Sequence, residues 1–500
     1  MSPRRILNVV ALLLIFVGVS MLLSGGIALY FADGDASGIF LSAAITIGVG
    51  VVTYAGTRFH EDLGSREGFA IVTFGWTAIA VFGALPYLLT GSIQGIVPAF
   101  FESMSGFTTT GATVVTDIEA LPHGILFWRS FAQWLGGMGI IVLAIAILPY
   151  LGVGGMQLFK AEVPGLNPER LRPRITQTAK LLWFVYLGLT VAQACLYLLG
   201  GMDWFDAVNH SFSTLATGGF STRNASMAAF DSRYIQYVTI VFMYLAGINF
   251  SLHFRAAAGR PIYWKDAELR LYTFIILIAA VTLGTMSLAN APGALSWLGA
   301  EQAIRDGLFT AASIVTTTGF VTADYELWIP SAQFLVFALM FTGGMAGSTG
   351  GGVKIVRVLL ILENAWIEVR RHLHPRAILL ARVGKRVVRE DVLFNVLGFV
   401  ILYITLFGAG AFAMSLFGMD LATSLGASAA TVGNIGPGLG GIGATDNYAW
   451  MPAGAQMVLT FLMLVGRLEI YTVLLLFHPE TWTNRGATDR RPIGGRLTRS

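Results

Sequence analysis

The sequence predicts an all-α polytopic membrane protein, made of four pseudo-repeats preceded by an N-terminal two-helix hairpin. Three observations carry this prediction. Hydrophobic residues make up 55% of the chain and charged residues only 12%, about half the charged share of ordinary soluble domains. Apolar segments long enough to cross a bilayer alternate with apolar segments too short to do so, since a span takes ~20 helical residues. A small polar signature recurs four times: Thr108-Thr109-Thr110-Gly111, Ala216-Thr217-Gly218-Gly219, Thr316-Thr317-Thr318-Gly319 and Ala430-Thr431-Val432-Gly433-Asn434. Its glycines Gly111, Gly218, Gly319 and Gly433 lie 107, 101 and 114 residues apart, a spacing that marks an internal repeat.

The elements follow in order. Met1-Ser2-Pro3-Arg4-Arg5 opens like a signal peptide, but the apolar stretch 6–31 is longer than a cleaved h-region and reads as a first helix that is retained. A second span, 40–57, follows the acidic turn Asp33-Gly34-Asp35 and completes the hairpin, residues 1–67. Four units then occupy 68–177, 178–267, 268–389 and 390–478, before a cytoplasmic tail, 479–500. Each unit has an outward helix (69–89, 181–199, 271–288, 392–417), a short re-entrant segment (98–105, 206–214, 306–313, 420–429) and the polar loop. A return helix closes each unit (125–148, 234–254, from 332, and 456–477). Asp206, Asp306 and Asp420 suit the N-termini of the short segments, where an acceptor caps free N–H groups. Pro98 near the same place in the first unit suits a first turn.

Irregular backbone at membrane depth persists only when buried in protein or lining a watery cavity. A Gly-containing loop found four times between spans therefore belongs at a common axis, with the C-terminal, partly negative ends of the short helices directed at it. Four such loops can replace the hydration shell of a cation with backbone carbonyls. The architecture is thus helix, pore helix, filter loop and helix, repeated four times around one pore. The candidate filter residues are Thr109, Thr110 and Gly111; Ala216, Thr217 and Gly218; Thr317, Thr318 and Gly319; and Thr431, Val432 and Gly433. The carbonyls of Thr110, Thr217, Thr318 and Val432 would hold the ion. The threonine hydroxyls also suit capping of the short helices, and the two roles are compatible.

Orientation follows from the basic residues. With every junction between units on one side, that side holds 27 of the 32 Lys and Arg, the other holds Arg129, Arg223, Arg233 and Arg305, and Arg467 lies within a helix. The N- and C-termini are accordingly cytoplasmic. The outer face then has 14 acids against four bases, which concentrates cations at a pore mouth. The net charge of +4 reflects this orientation and not nucleic-acid binding.

Two further stretches attract attention. Gly343-Gly344-Met345-Ala346-Gly347-Ser348-Thr349-Gly350-Gly351-Gly352, followed by Val353-Lys354, has too many glycines to remain helical, at about 1 kcal/mol each relative to Ala. It reads either as a packing face or cytoplasmic turn, or as a gating loop across the path with glycine hinges. It lacks the Gly-Lys-Ser/Thr of a phosphate-binding loop. Arg467 and Glu469 interrupt the fourth return helix, where a charge implies a partner or a cavity; they are a structural ion pair or a pore-adjacent charge. Lys354 and Arg357 read either as charges that set the potential at the cytoplasmic exit, as Arg467 would, or as inner-leaflet anchors, and the basic stretch 372–389 as a cytoplasmic loop near anionic lipid. One cysteine, Cys195, excludes an intrachain disulfide. Seven scattered histidines without metal-ligand spacing argue against zinc, and no paired catalytic groups within the spans point to an intramembrane enzyme. An ion-coupled (H+ or Na+) secondary transporter with broken helices is the alternative to a continuous pore.

The four loops, the 343–354 stretch and Gly466-Arg467-Leu468-Glu469 together resemble the Trk/Ktr/HKT superfamily of potassium transporters, and the extra hairpin is similar to the bacterial Trk membrane subunit. The resemblance runs from the hairpin to about Phe477. It implies selective K+ uptake across the bacterial inner membrane, a homodimer with one pore per subunit, and a cytoplasmic regulatory subunit that binds nucleotide. K+ is then the transported ion, and any nucleotide belongs to the partner. Filter glycines favour K+ where Ser is linked with Na+ permeability, and the first position here is Gly111.

Overall fold

A computed structural model describes residues 2–57, 65–146, 171–259, 263–290, 297–377, 379–384 and 386–482. Arg58, Arg260, Lys385, the Lys and Arg between 147 and 170, and those beyond 482, all of which entered the orientation argument, lie outside the described residues.

Helices α1 (Pro3–Phe31) and α2 (Ala36–Gly56) form the hairpin. They pack at backbone distance because a Cβ on Gly50 would come within 3.0 Å of the Ala11 carbonyl, and one on Gly18 within 3.0 Å of the Ile47 nitrogen. Asp33, in the turn between them, accepts from the His123 backbone N–H at 2.8 Å and lies 2.7 Å from its ring Nδ1. The hairpin is thereby tied to the first unit.

The first unit contains α3 (Ser65–Gly83), α4 (Leu85–Leu89), α5 (Ile96–Phe107) and α6 (His123–Ala146). The second contains α7 (Leu171–Leu199), α8 (Trp204–Leu215), α9 (Arg233–Ala246) and α10 (Phe250–Ala257). The third contains α11 (Ala267–Asn290), α12 (Trp297–Val315), α13 (Pro330–Leu339) and α14 (Ile355–Leu373). The fourth contains α15 (Glu390–Leu416), α16 (Leu421–Val432), α17 (Ala453–Arg467) and α18 (Tyr471–Phe477). Among the described residues six helices have the length and apolarity to cross a membrane, and two bent pairs raise the count to eight. The chain is a multi-pass, all-helical protein, apart from a two-residue antiparallel ribbon, β1 (Arg382–Val383) with β2 (Arg386–Val387), inside the basic 372–389 stretch.

Several helices differ from the sequence expectation. The second return helix is not continuous: α9 and α10 meet at 100°. There Met345 N–H donates to the Gly247 carbonyl at 2.9 Å and Phe250 N–H to the Gly347 carbonyl at 3.1 Å, so the Gly-rich segment takes over groups a continuous helix would have paired. The fourth return helix bends by 115° between α17 and α18, where Glu469 and Ile470 have φ of 62° and 34°. The third stops at Leu339, before its glycines. Asp206 and Asp306 are not N-caps. Asp203 caps α8, accepting from Asp206 N–H at 3.1 Å, and Asp306 sits inside the longer α12. Both aspartates instead brace the strand beyond the loop, each bonded to a threonine sixteen residues on: Asp206 to Thr222 at 2.6 Å, Asp306 to Thr322 at 3.2 Å. Asp420 does cap α16, accepting from Thr423 N–H at 2.7 Å.

Candidate functional site: a four-repeat carbonyl ring and the loop beneath it

Each of the helices α5, α8, α12 and α16 ends in the same way. A residue in the left-handed region follows the helix: Thr109 (φ 51°), Thr217 (54°), Thr317 (59°) and Asn434 (53°). The next residue's N–H reaches back five positions, Thr110 to Ser105, Gly218 to Ser213, Thr318 to Ser313 and Ile435 to Ala430, all at 2.8 Å. This is the 6→1 closure of a Schellman cap. A β-branched residue is costly at positive φ, so three threonines there mark strain that the surrounding structure holds in place. The Thr108 and Thr110 hydroxyls lie 2.8 Å apart and those of Thr316 and Thr318 2.7 Å apart.

Two residues past each left-handed residue stands a glycine with positive φ: Gly111 (84°), Gly219 (78°), Gly319 (78°) and Gly436 (97°). A Cβ on Gly111 would lie 2.2 Å from the Gly218 oxygen, on Gly219 2.1 Å from the Thr318 oxygen, on Gly319 2.0 Å from the Ile435 oxygen, and on Gly436 2.6 Å from the Thr110 oxygen. The contacts run from unit 1 to 2 to 3 to 4 and back to 1. The carbonyl oxygens of Thr110, Gly218, Thr318 and Ile435 therefore form a closed ring, and each glycine is required twice, by its φ and by the oxygen of the next unit.

This ring corrects two of the sequence registers. In the first and third units Thr109 and Thr317 are the left-handed residues, Thr110 and Thr318 give the ring oxygens, and Gly111 and Gly319 are the positive-φ glycines. In the second unit the matching glycine is Gly219, with Gly218 contributing the ring oxygen and Thr217 at the strained position, while Ala216 ends the helix. In the fourth unit Thr431 and Val432 are still helical and Gly433 is the C-cap. The strained residue, the ring oxygen and the glycine are Asn434, Ile435 and Gly436. Matching Thr431-Val432-Gly433 to the TTTG-like signature of the other units puts the register three residues earlier, because Asn434 at left-handed φ is a backbone feature that the signature does not show.

The outer side of the fourth loop is held by groups the sequence left unread. Tyr448 hydroxyl donates to the Gly436 carbonyl at 2.7 Å, Tyr325 hydroxyl to the Gly438 carbonyl at 2.8 Å, and the Gly440 N–H to Glu326 at 2.7 Å. Burial pushes the Glu326 carboxyl above its ordinary value, with the charges of Asp324, Asp446 and Asp420 adding to the effect against the opposing Gly440 bond. In the first unit Arg129 and Glu102 form a fully buried pair at 2.8 Å, and Arg129 also donates to the Ser221 carbonyl at 3.2 Å.

On the other side of the ring lies the Gly-rich segment. Gly343, Gly344, Gly347, Ser348, Thr349, Gly350, Gly351 and Gly352 are non-helical, and the segment reaches the second, third and fourth units. Gly351 N–H donates to the Thr317 hydroxyl at 2.6 Å, and Thr349 hydroxyl donates to the Leu215 carbonyl at 2.9 Å. A Cβ on Gly351 would lie 2.5 Å from the Gly433 oxygen. Arg467 Nη1 donates to the Thr349 carbonyl at 2.7 Å. Lys354 Nζ bonds the Gly350 carbonyl, and Arg357 pairs with Glu469 and lies over the Phe399 ring. Lys354 and Arg357 are buried and are not leaflet anchors; the segment's own carbonyl and the Glu469 carboxylate offer them better partners than lipid. Arg467 and Glu469 do not pair with each other among the described residues. Glu268, at the start of α11, accepts from Ala346 N–H at 2.7 Å and Val356 N–H at 3.1 Å and so clamps the segment to the helix that follows it.

A ring of backbone carbonyls built by four repeats, reached from one face and covered on the other by a glycine-rich segment, defines the class: a pore-loop membrane protein of the cation-transport kind. The family profile of TrkH, described as "Cation transport protein", matches residues 36–484. The chain belongs to that family. It is 42% identical over 491 residues to the Trk system potassium uptake protein TrkH of Halomonas elongata and 40% identical over 491 residues to that of Escherichia coli K12, covering 96% of this chain and all of each relative. Its fold is similar to the crystal structure of the potassium transporter TrkH from Vibrio parahaemolyticus, with a TM-score of 0.88, 40% identity, and coverage of 97% of this chain and 100% of that one.

Proposed function

We propose that the protein takes up K+ across the bacterial inner membrane by selective, gated, channel-like permeation. The single observation that carries this reading is the closed ring of the Thr110, Gly218, Thr318 and Ile435 carbonyls, each fixed by a glycine of the preceding unit. Such a ring replaces hydration oxygens around a bare monovalent cation. Relatives known as potassium uptake proteins favour K+ as that cation. Residues 343–352 act as the gate, because they lie beside the ring and are tied to their neighbours by individual hydrogen bonds, among them those to Arg467, Glu268 and Thr317. The protein works as a homodimer with both termini cytoplasmic. The basic cytoplasmic stretches receive a regulatory subunit that binds the nucleotide.

Rb+ and Na+ influx into proteoliposomes containing the purified protein, under an imposed potential, tests this reading. Downhill Rb+ entry, more Na+ entry in Gly319→Ser and more of both after deletion within 347–351 are expected. Uptake that requires a proton or Na+ gradient would replace the pore with a coupled transporter.

A further inference from the structure

One filter strand lacks what the other three have. Thr110, Thr318 and Ile435 each place a side chain at the ring-oxygen position, and Thr110 and Thr318 are further fixed by hydroxyl contacts to Thr108 and Thr316. In the second unit this position is Gly218 and the partner position is Ala216, so the strand has neither a side chain nor a hydroxyl pair. Its φ is not in the left-handed region, so backbone conformation does not explain the glycine.

The space is filled from elsewhere. A Cβ on Gly218 would lie 2.4 Å from Cδ and 2.5 Å from Oε1 of Gln133, a fully buried side chain on α6. The Gln133 amide brackets the strand, with Nε2 donating to the Gly218 carbonyl at 2.6 Å and Oε1 accepting from Phe220 N–H at 3.1 Å. The corresponding place elsewhere can be read from helix register. Gly136 and Gly466 occupy the same position, each packed on the carbonyl of the last pore-helix residue, Phe107 and Val432. Three residues before them stand Gln133 and Met463. Met463 presents its backbone carbonyl there, to which Asn434 Nδ2 donates at 2.9 Å while also donating to the Thr110 hydroxyl at 3.0 Å.

We infer that Gln133 is a positioning and specificity-determining residue of the filter: its amide substitutes for the missing side chain of Gly218 and holds one of the four ring carbonyls in register. The inference rests on the reading of the ring as a K+ filter. Because Gln133 also donates to that oxygen, it weakens the oxygen's field toward a cation relative to the other three, making the ring electrostatically unequal.

The test compares Rb+ and Na+ influx for the parent, Gln133→Ala, Gly218→Thr and the double variant, in the full-length protein in proteoliposomes. The Rb+ to Na+ ratio should fall about tenfold in Gln133→Ala, the order expected for two neutral hydrogen bonds lost. It should fall in Gly218→Thr too, where the new side chain meets the amide. The double variant should recover most of the parental ratio, because the introduced threonine fills the space as Thr110 and Thr318 do in their own units. If Gln133→Ala aggregates, recovery of a monodisperse elution peak in the double variant reads the same relation. A parental ratio in Gln133→Ala, or a double variant no better than the worse single one, overturns the inference while leaving the filter reading intact. A parent without Rb+ preference overturns both.

Discussion

Arg467, the last residue of α17, donates from Nη1 to the carbonyl of Thr349 at 2.7 Å, joining the fourth return helix to the middle of the glycine-rich segment across 118 residues of chain. Arg467 is 2% exposed, and its Nε and Nη2 have no protein partner among the described residues. The link is single, charge-assisted and shielded from water.

With residues 343–352 as the proposed gate, removing this bond should favour an open path. A hydrogen bond from a charged group contributes ~1.5–3 kcal/mol, so Arg467→Ala is expected to raise basal Rb+ influx by roughly ten- to a hundredfold. Influx at the parental level in proteoliposomes holding equal amounts of folded protein would show that this bond does not keep the segment in place.

Glu268 ties the segment to the start of α14 by accepting from the Ala346 and Val356 N–H groups. Glu268→Ala leaves both donors unanswered, at about 1–3 kcal/mol for the site, whereas Glu268→Gln keeps an oxygen acceptor. The alanine variant should melt earlier and conduct more than the parent, with the glutamine variant near the parent in both. Thermal melts paired with flux read this directly; equal melts for all three proteins would remove Glu268 from the clamp.

The ring assigns the fourth glycine to Gly436. Gly436→Ala combines a strained φ of 97° with a Cβ 2.6 Å from the Thr110 oxygen, and should lower Rb+ influx or its preference over Na+ at least tenfold, the counterpart of ~1–2 kcal/mol for an L-residue forced into the left-handed region. Gly433→Ala has an ordinary φ and meets the end of the Ile435 side chain and nearby helix carbonyls, so its effect on the ion preference is smaller. The reverse order would restore the register that the sequence motif suggests.

Glu326 lies outside the spans, between α12 and α13, and its folded-state carboxyl titrates above the ordinary value of 4.5 through burial and the neighbouring Asp324, Asp446 and Asp420. A raised acid favours the protonated folded state, so its contribution is full below about 4.5 and is lost as pH rises through the higher folded value. Melting temperature measured from pH 4 to 7.5 should therefore decline in this part more steeply for the parent than for Glu326→Gln, which keeps the acceptor for Gly440 N–H without titrating. Parallel curves would assign the pH dependence to other groups.

The membrane class, the hairpin and the four-unit plan are legible in the chain alone, because hydropathy and period are properties of composition and spacing. So is the break at 343–352, since six glycines in ten positions cannot stay helical, and so are the TTTG strings at Thr108 and Thr316. The register of the carbonyl ring in the second and fourth units comes from packing. There the defining features are a left-handed residue and a glycine facing the next unit's carbonyl, and both Gly218-Gly219 and Gly433-Asn434-Ile435-Gly436 offer glycines that a string comparison cannot rank. Packing also bends α9–α10 and α17–α18, because the groups that break those helices, Met345, Gly347 and the strained Glu469-Ile470 pair, lie in another unit or in backbone geometry. Lys354, Arg357, Glu268 and Gln133 acquire their roles only from partners 4 to 112 residues away, a relation that periodicity does not encode and the folded chain does.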